Sequence, residues 1–387
     1  MSRTKNPEQT TLASQTMLAE LVQRCFDADF DETYDERGQF RRRRINDCDY
    51  WYYQRDLNGK KTLTYVGPAR DPEITSRIER FATLKSDFGQ RREMVRALLA
   101  IGLPAPDPMS ALVVEALWKA GFFRLRGVLV GTVAFQAYAG LLGVKLSNAS
   151  LMTQDADFAQ FYDVSHLVGD SIPPILDILH IVDPSFSAIP GIFDPARVTR
   201  FRTSQGYLVE FLTPNRGSDH HMGKPADMPA LGGASAIPLR FLDFLIHEPV
   251  RTVLLYKGGI PVTVPAPERY GVHKLIVAAE RKANVLKSSK DIAQAEQIIA
   301  AMLPRRRFVL AEAWQEAWAR GPTWRAALTK GLSMVRDDVR VAFKTALAAE
   351  GAELKPKRTV RKQKIGSAVQ RQKTPATKPK KRAKPAT

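Results

Sequence analysis

The sequence has little of what marks secreted, disulfide-stabilised proteins. Only two of its 387 residues are cysteines, Cys25 and Cys48. Two cysteines at this spacing provide neither a disulfide framework nor a zinc site, and they favour a reducing compartment. Residues 1–15 contain no apolar core, so no secretory signal is expected. We therefore expect a cytoplasmic protein.

Long apolar runs are also scarce. The one uncharged stretch, residues 127–144, approaches the length of about 18 residues that a membrane span requires. Its glycines, together with Thr132 and Gln136, fit a buried strand, turn and helix better. No membrane association is expected.

Acidic residues are missing from the end of the chain. Residues 355–387 contain thirteen Lys or Arg and no Asp or Glu, so they carry most of the formal net charge of +18. With almost no apolar side chains, this segment cannot bury enough surface to offset chain entropy, and we expect it to be disordered. Its cations suit nucleic-acid phosphates through counterion release, without sequence readout. A solubilising tail with no dedicated partner is the alternative.

Turn signals and composition divide the chain into four parts. Residues 1–105 are predicted to form an accessory region, residues 106–265 a core with most of the strands, residues 266–350 a helical domain and residues 351–387 the basic tail. Strands interleaved with helices, followed by helices alone, predict an α+β fold in which a mixed sheet packs against helices and a C-terminal helical bundle follows.

In the accessory region, Asn58-Gly59 separates two β-prone segments and predicts a hairpin. Residues 73–101 have helical periodicity, with a break expected near Gly89. The four arginines at 41–44 precede the aromatic residues 50–53, and the two groups could contact a nucleic acid by charge and stacking. Packed aromatics beside solvated arginines are the alternative.

The predicted elements of the core follow in a regular order, with Asp170 as a possible helix cap. They are helix 107–120, strand 122–130, helix 133–142, strand 151–158, helix 170–182, and two hairpins formed by strands 197–203 with 206–212 and strands 252–256 with 260–264.

Two carboxylates, Asp155 and Asp157, lie on the strand predicted over residues 151–158. Alternate residues of a strand point to the same face, so these side chains are roughly 6.6 Å apart along it and can converge on metal ions. Upstream, an apolar strand ends at Gly131-Thr132 and a helix follows, which presents backbone N–H groups and a hydroxyl suited to a polyphosphate. Downstream, Glu210 stands in an apolar strand, where its charge needs a partner.

The chain here resembles the nucleotidyltransferase-fold superfamily, which includes DNA polymerase β. Gly131-Thr132, the Asp155/Asp157 pair and Glu210 match its glycine, Asp-x-Asp and third-acid pattern in order, with Glu where Asp is usual. The segment Pro267-Glu268-Arg269-Tyr270-Gly271-Val272-His273-Lys274 resembles a helical motif of poorly characterised bacterial members near the abortive-infection and toxin-type enzymes.

The resemblance implies roles for particular residues. Asp155, Asp157 and Glu210 would be catalytic and would bind Mg²⁺ or Mn²⁺. The triphosphate of an NTP would be bound by Gly131 and Thr132 and by basic residues of the helical region, for which Lys274 and Lys290 are the matching positions. Asp291 would hold the basic residue in place. A solvated basic face with Asp291 as a cap is the alternative for these helices, and His273 is expected to be a packed or capping residue rather than a catalyst.

Two functions of different classes follow. The first is a magnesium-dependent nucleotidyltransferase that transfers NMP from an NTP to an acceptor, and RNA is an acceptor that suits the basic tail. The second is a non-catalytic nucleic-acid or protein-binding module on the same fold. A small-molecule acceptor stays open, and the sequence indicates neither the base preference, nor the protein partners, nor a role as toxin, defence protein or housekeeping enzyme.

Overall fold

The computed structural model describes residues 7–27, 38–45, 48–57, 60–147, 153–167, 170–191, 194–217, 223–281 and 285–353. Its α-helices are α1 (Leu12–Asp27), α2 (Pro72–Ala100), α3 (Pro108–Lys119), α4 (Gly131–Leu142), α5 (Tyr162–Leu167), α6 (Ile175–Val182), α7 (Leu242–Leu245), α8 (Pro267–Glu280), α9 (Val285–Met302), α10 (Arg307–Ala319), α11 (Pro322–Met334) and α12 (Asp337–Ala349). Its strands are β1 (Gln39–Ile45), β2 (Cys48–Leu57), β3 (Lys60–Pro68), β4 (Val128–Val130), β5 (Asp155–Ala159), β6 (Ser187–Ile189), β7 (Arg200–Arg202), β8 (Leu208–Pro214), β9 (Ala226–Asp227), β10 (Ser235–Leu239), β11 (Val250–Leu254) and β12 (Ile260–Val264).

The central sheet is mixed, as predicted. Its main path runs β4-β5-β8-β10-β9, and β7 pairs with both β6 and β8. Strand β5 runs antiparallel to β4 and parallel to β8. The β7–β8 hairpin and the separate β11–β12 hairpin were both predicted and are confirmed. The molecule is therefore α+β, with helices packed on a mixed sheet and a helical region after it.

Alternation along β5 decides which of its side chains are buried. Ala156 and Phe158 are fully buried, and the Phe158 ring lies 5.3 Å from that of Phe122 and 5.8 Å from that of Phe211. Asp155 and Asp157, which alternate with these two residues along the strand, point to the other face and keep partial exposure. The aromatic core on one face thus places both carboxylates on the opposite one.

The prediction of a strand over residues 122–130 was wrong at its beginning, because only Val128–Val130 is a strand. Residues 121–126 form turns, with positive φ at Gly121 (92°) and Arg126 (62°). Phe122 is fully buried against the aromatic core. Its aromatic character therefore reflects core packing rather than strand pairing.

Two helix predictions also need correction. Helix α6 begins at Ile175 after Pro173 and Pro174, and Asp170 does not cap it but accepts a hydrogen bond from the Ser171 N–H and pairs with Arg124. Helix α2 runs without interruption through Gly89, where a Cβ would meet no neighbouring atom. A single glycine costs a helix only about 1 kcal/mol, which packing against α1 offsets.

The N-terminal hairpin is confirmed, since β2 and β3 pair antiparallel from Leu57↔Lys60. Strand β1, which contains the four arginines, adds a third strand to it. Neither β1 nor α1 was predicted. For β1 the reason is that an arginine run has no apolar periodicity.

Helices α8 to α12 form the C-terminal region, in which α8 packs on α9, α10 and α11. Among the described residues, no helix has the length and apolar composition that crossing a bilayer requires. The predicted tail lies outside the residues that the structure describes, and the domain boundaries stay predictions.

Candidate functional site

A cleft of about 590 Å³ opens where the start of β5 and the start of α4 face helices α8 and α9. Six predicted site residues line it together: Gly131, Thr132, Asp155, Asp157, Lys274 and Lys290. Glu210 does not line it. Three further charged residues do, namely Arg281, Lys287 and Asp291.

The floor of the cleft is the turn from β4 into α4. Gly131 has φ 69°, and a Cβ there would overlap the carboxylate of Asp157, so no other residue fits without displacing one of the two. The preceding Val130 is extended and provides no side-chain cap for α4. Among the described side chains, none caps the first backbone N–H groups of this helix, which is the arrangement that binds phosphate oxygens.

One wall of the cleft is acidic. Asp157 lies between Val130 of β4 and Glu210 of β8 in the sheet register. Burial raises the pKa of Asp157 to about 7, and the nearby Asp155 and Glu210 raise it too, while Lys274 and Lys287 act in the opposite direction. The Thr153 hydroxyl donates to the Asp155 carboxylate. A bound cation would relieve the repulsion between these carboxylates.

Glu210 occupies the same row of the sheet as Asp157 and is followed in that row by Arg200 of β7. Burial raises the pKa of Glu210, and Arg200 is the largest influence that lowers it. Across the described part of the chain, no three His, Cys, Asp or Glu side chains lie close enough to form a ready-made metal site. The third-acid role of Glu210 therefore stays a prediction.

The opposite wall is basic and is organised by Asp291. This aspartate is 4% exposed, and its Oδ1 lies 2.6 Å from Lys274 Nζ while its Oδ2 lies 2.7 Å from Arg281 Nε. Asp291 lies within α9 rather than at its end, so it is not a helix cap. Burial lowers the pKa of Lys290, which is partly exposed at the same wall. Lys274 and Arg281 are therefore held in place by their ion pairs with the buried Asp291.

Tyr270 connects the basic helix to the floor of the cleft. Its hydroxyl lies 3.0 Å from the carbonyl oxygen of Gly131 and 3.0 Å from Gln294 Oε1. The ammonium of Lys274, one turn further along α8, lies 5.2 Å from the centre of the tyrosine ring. We did not predict this contact, although the four-residue spacing between Tyr270 and Lys274 places both side chains on one helical face.

His273 is not among the residues that line the cleft. It is buried, its Nδ1 has no hydrogen-bond partner among the described residues, and burial lowers its pKa to about 3, with Lys274 and Arg281 lowering it further. It is therefore neutral at physiological pH. The expectation that His273 is packed agrees with this position.

A solved protein structure is similar to this chain. The crystal structure of an antigenic nucleotidyltransferase-like protein from Paracoccidioides brasiliensis is similar to this chain with a TM-score of 0.36 and 15% identity. The match covers 62% of this chain and 94% of that one. No curated protein matches the sequence.

A family model described as nucleotidyltransferase matches residues 109–319, which is more than half of the chain. The matched segment runs from α3 to the end of α10 and contains every residue that lines the cleft. The chain therefore belongs to this nucleotidyltransferase family.

Proposed function

We propose that the protein transfers a nucleoside monophosphate from an NTP to an acceptor, with Mg²⁺ or Mn²⁺ as cofactor. One observation carries the proposal: a single cleft has carboxylates on one wall, cations on the other and an uncapped helix N-terminus at its floor. A triphosphate with a bound divalent cation has the complementary charges. The coarser function, nucleotidyl transfer, is also what the family indicates.

The donor atoms of the acidic wall suit the proposed cofactor. Asp155 and Asp157 offer only oxygen ligands, which Mg²⁺ and Mn²⁺ prefer. When bound, the cation would supply charge neutralisation for the phosphates. The raised pKa of Asp157 supports the assignment, because burial first, and then the nearby Asp155 and Glu210, disfavour its charged form, which a bound cation would favour.

The chain's own residues divide the remaining tasks. The N–H groups at Gly131 and Thr132 would bind phosphate oxygens, and Lys274, Arg281 and Lys290 would balance the charge that develops on the leaving pyrophosphate. Glu210, beside Asp157, is the proposed base that accepts the proton of the acceptor hydroxyl. Its raised pKa would favour that proton transfer.

RNA is the acceptor that we propose, because residues 355–387 provide thirteen cations and no acid. We further propose that the protein acts in the cytoplasm and is related to the abortive-infection and toxin-type members. The latter rests on the motif from Pro267 to Lys274 alone. Deleting residues 355–387 should weaken RNA binding and reduce its salt dependence while leaving the thermal transition unchanged. Unchanged RNA affinity at low and moderate salt would leave the tail a solubilising one.

The non-catalytic alternative has one observation in its favour. Glu210 does not line the cleft, and no cluster of three potential ligands is present among the described residues. A protein of this kind would bind nucleotide or nucleic acid without turnover. The distinction between the two functions is therefore whether a covalent product forms.

Incubation with each α-³²P-labelled NTP, Mg²⁺ and total cellular RNA, followed by denaturing electrophoresis, tests the proposal. We expect labelled RNA from the wild type and none without a divalent cation. Asp177→Asn is a matched control, because it removes one exposed carboxylate on α6, outside the cleft. Metal-dependent NTP binding without labelled product, from any acceptor tried, would favour the non-catalytic module.

Two substitutions test Glu210 in the same assay. Glu210→Gln should reduce transfer by orders of magnitude with little change in NTP affinity, since the base is lost while Asp155 and Asp157 remain. Glu210→Asp asks whether the longer side chain is required. If neither substitution changes transfer, Glu210 is structural and the base lies elsewhere.

A further inference from the structure

The sheet formed by β1, β2 and β3 has one covered face and one open face. On the covered face, Phe40 of β1 and Tyr53 of β2 are cross-strand neighbours, and the ring of Phe81 from α2 lies 4.9 Å and 6.1 Å from theirs. Tyr53 is buried. Helix α2 therefore packs on this face, and the alternate residues of each strand point to the other side.

The open face carries arginine and tyrosine side chains. Arg41 pairs with Tyr52 and Arg43 pairs with Tyr50 across the β1–β2 ladder. Both arginines are exposed, both tyrosines are half-buried, and the guanidinium of Arg43 lies 5.7 Å from the centre of the Tyr52 ring. Planar groups on two adjacent strands thus form a continuous patch, which we call the β1–β2 face.

The two charged side chains that the structure describes on this face between Gln39 and Arg43, Arg41 and Arg43 themselves, are both cations. Gln39 and Gln54 extend it beyond Arg41 and Tyr52, and they are neutral. Asp49, the acid nearest to it in the ladder, pairs with Arg44 and so points to the covered face. Among the side chains that the structure describes on the open face, no acid opposes Arg41 and Arg43, in contrast to the cleft, where Asp291 holds the cations.

We propose that the β1–β2 face binds single-stranded nucleic acid. Arginines provide phosphate contacts, and the accessible parts of the tyrosine rings and guanidinium planes provide surfaces on which unpaired bases stack. A duplex has its bases already stacked and would meet only the charge. The inference goes beyond the proposed transfer reaction and does not depend on it, since binding alone is measured.

The charge of the face is tested in the full-length protein by fluorescence anisotropy with a labelled 12-nucleotide oligouridine at several salt concentrations. The double variant Arg41→Ala/Arg43→Ala should lower affinity roughly tenfold and reduce the salt slope by about 1.4, because each single-strand phosphate contact contributes about 0.7. The matched control is Arg92→Ala/Arg96→Ala, which removes the same charge from exposed positions on α2. An equal loss in both double variants would overturn the proposal, because only net charge would then matter.

The stacking contribution separates a single-strand site from a merely basic patch. Tyr52→Ala should lower oligouridine affinity at least fivefold, whereas Tyr52→Phe, which keeps the ring, should bind like the wild type. Melting temperatures identify any variant that fails to fold, in which case the arginine variants still decide. Equal affinity of Tyr52→Ala and wild type, or equally tight binding of a 12-base-pair duplex, would contradict the inference.

Photocrosslinking provides an independent position for the ligand. The full-length protein is crosslinked to a 4-thiouridine oligomer and the adducts are mapped by mass spectrometry. Adducts at Tyr50 or Tyr52 are expected. Adducts confined to residues 355–387 would assign all binding to the basic tail and remove the β1–β2 face from the account.

Discussion

The molecule contains two basic surfaces that are built in opposite ways. In the cleft, Lys274 and Arg281 are held by a buried aspartate, and Lys274 is itself only 12% exposed. On the β1–β2 face, Arg41 and Arg43 are exposed, and the guanidinium of Arg43 lies 5.7 Å from the centre of the Tyr52 ring. Holding a cation against a buried acid fixes its position, which suits a ligand whose atoms must be aligned for reaction.

An exposed arginine is free to adapt, which suits a ligand of variable sequence and shape. The cleft therefore suits a ligand that must be held in one position, whereas the β1–β2 face suits a ligand that is bound in several conformations. Substitutions that remove held charge should therefore affect stability and catalysis together, whereas substitutions on the open face should affect binding only.

The largest effect is expected from the acids that face the held cations. Asp155→Asn or Asp157→Asn should abolish nucleotide transfer, while the melting temperature without metal stays equal or rises, because repulsion between the two carboxylates is relieved. Labelled NTP transfer and thermal unfolding in the presence of a chelator measure the two quantities. Near wild-type transfer by either variant would remove the cleft from consideration as the reaction centre.

The next largest effect is expected from Asp291→Asn, which removes the charge that pairs with Lys274 and Arg281. Removing the charge leaves Lys274 in a buried position without its partner, and losing one member of a buried ion pair costs about 3–5 kcal/mol. We expect a loss near the lower limit, because Arg281 keeps about a third of its side chain in solvent. Denaturant unfolding gives the free energy, and NTP affinity should fall as well.

Glu296→Gln is the matched control for Asp291→Asn, since Glu296 also lies on α9 but pairs with the more exposed Arg336. It should cost less than about 1 kcal/mol. Equal losses from both substitutions would mean that Asp291 contributes no more than the partly exposed Glu296–Arg336 pair.

Lys274→Ala removes one of the two cations that are paired with Asp291 and leaves Asp291 in place. A charge-assisted hydrogen bond to the triphosphate is worth roughly 1.5–3 kcal/mol, so the KM for NTP should rise by roughly 10- to 150-fold. Lys290→Ala should act in the same direction and more weakly. Steady-state kinetics measure both, and unaltered KM in both variants would assign α8 and α9 to packing alone.

The sequence was sufficient where a local pattern decides the structure. The strand alternation of Asp155 and Asp157, the glycine at 131 and the Asn58-Gly59 hairpin all follow from nearest neighbours. The β5–β8 ladder, which brings Glu210 beside Asp157, joins residues more than fifty positions apart, so the chain order suggested it only through the family resemblance.

The remaining features depend on tertiary packing and could not be predicted. The aromatic residue Phe122 was assigned to a strand, yet it is part of a core formed with strands β5 and β8. The contact of Tyr270 with Gly131 connects residues on two elements with no periodicity in common. The local sequence left Asp291 open as a helix cap, whereas the family resemblance implied that it holds a basic residue, and its ion pair with Lys274 agrees with that implication.

The smallest effect concerns His273, whose pKa depends in part on the charges of Lys274 and Arg281. Its pKa is lowered to about 3 in the folded protein by burial, with contributions from Lys274 and Arg281, against about 6.5 when unfolded. Below pH 6.5 the unfolded state therefore binds the additional proton, and the stability that neutral His273 contributes at neutral pH is lost as pH falls toward 3. The loss should be about 1.4 kcal/mol per pH unit.

Asp157 acts in the opposite direction, because its raised pKa adds stability at low pH that is lost as pH rises through about 7. The wild type must therefore be compared with His273→Gln, in which Asp157 is unchanged. Urea unfolding between pH 5 and 7 should give curves that converge as pH falls, since only the wild type loses the histidine contribution. Introducing Lys274→Ala into the wild type should raise the pKa of His273 measured by NMR, because one of the two cations that lower it is removed. An unchanged pKa would mean that Lys274 does not contribute to it.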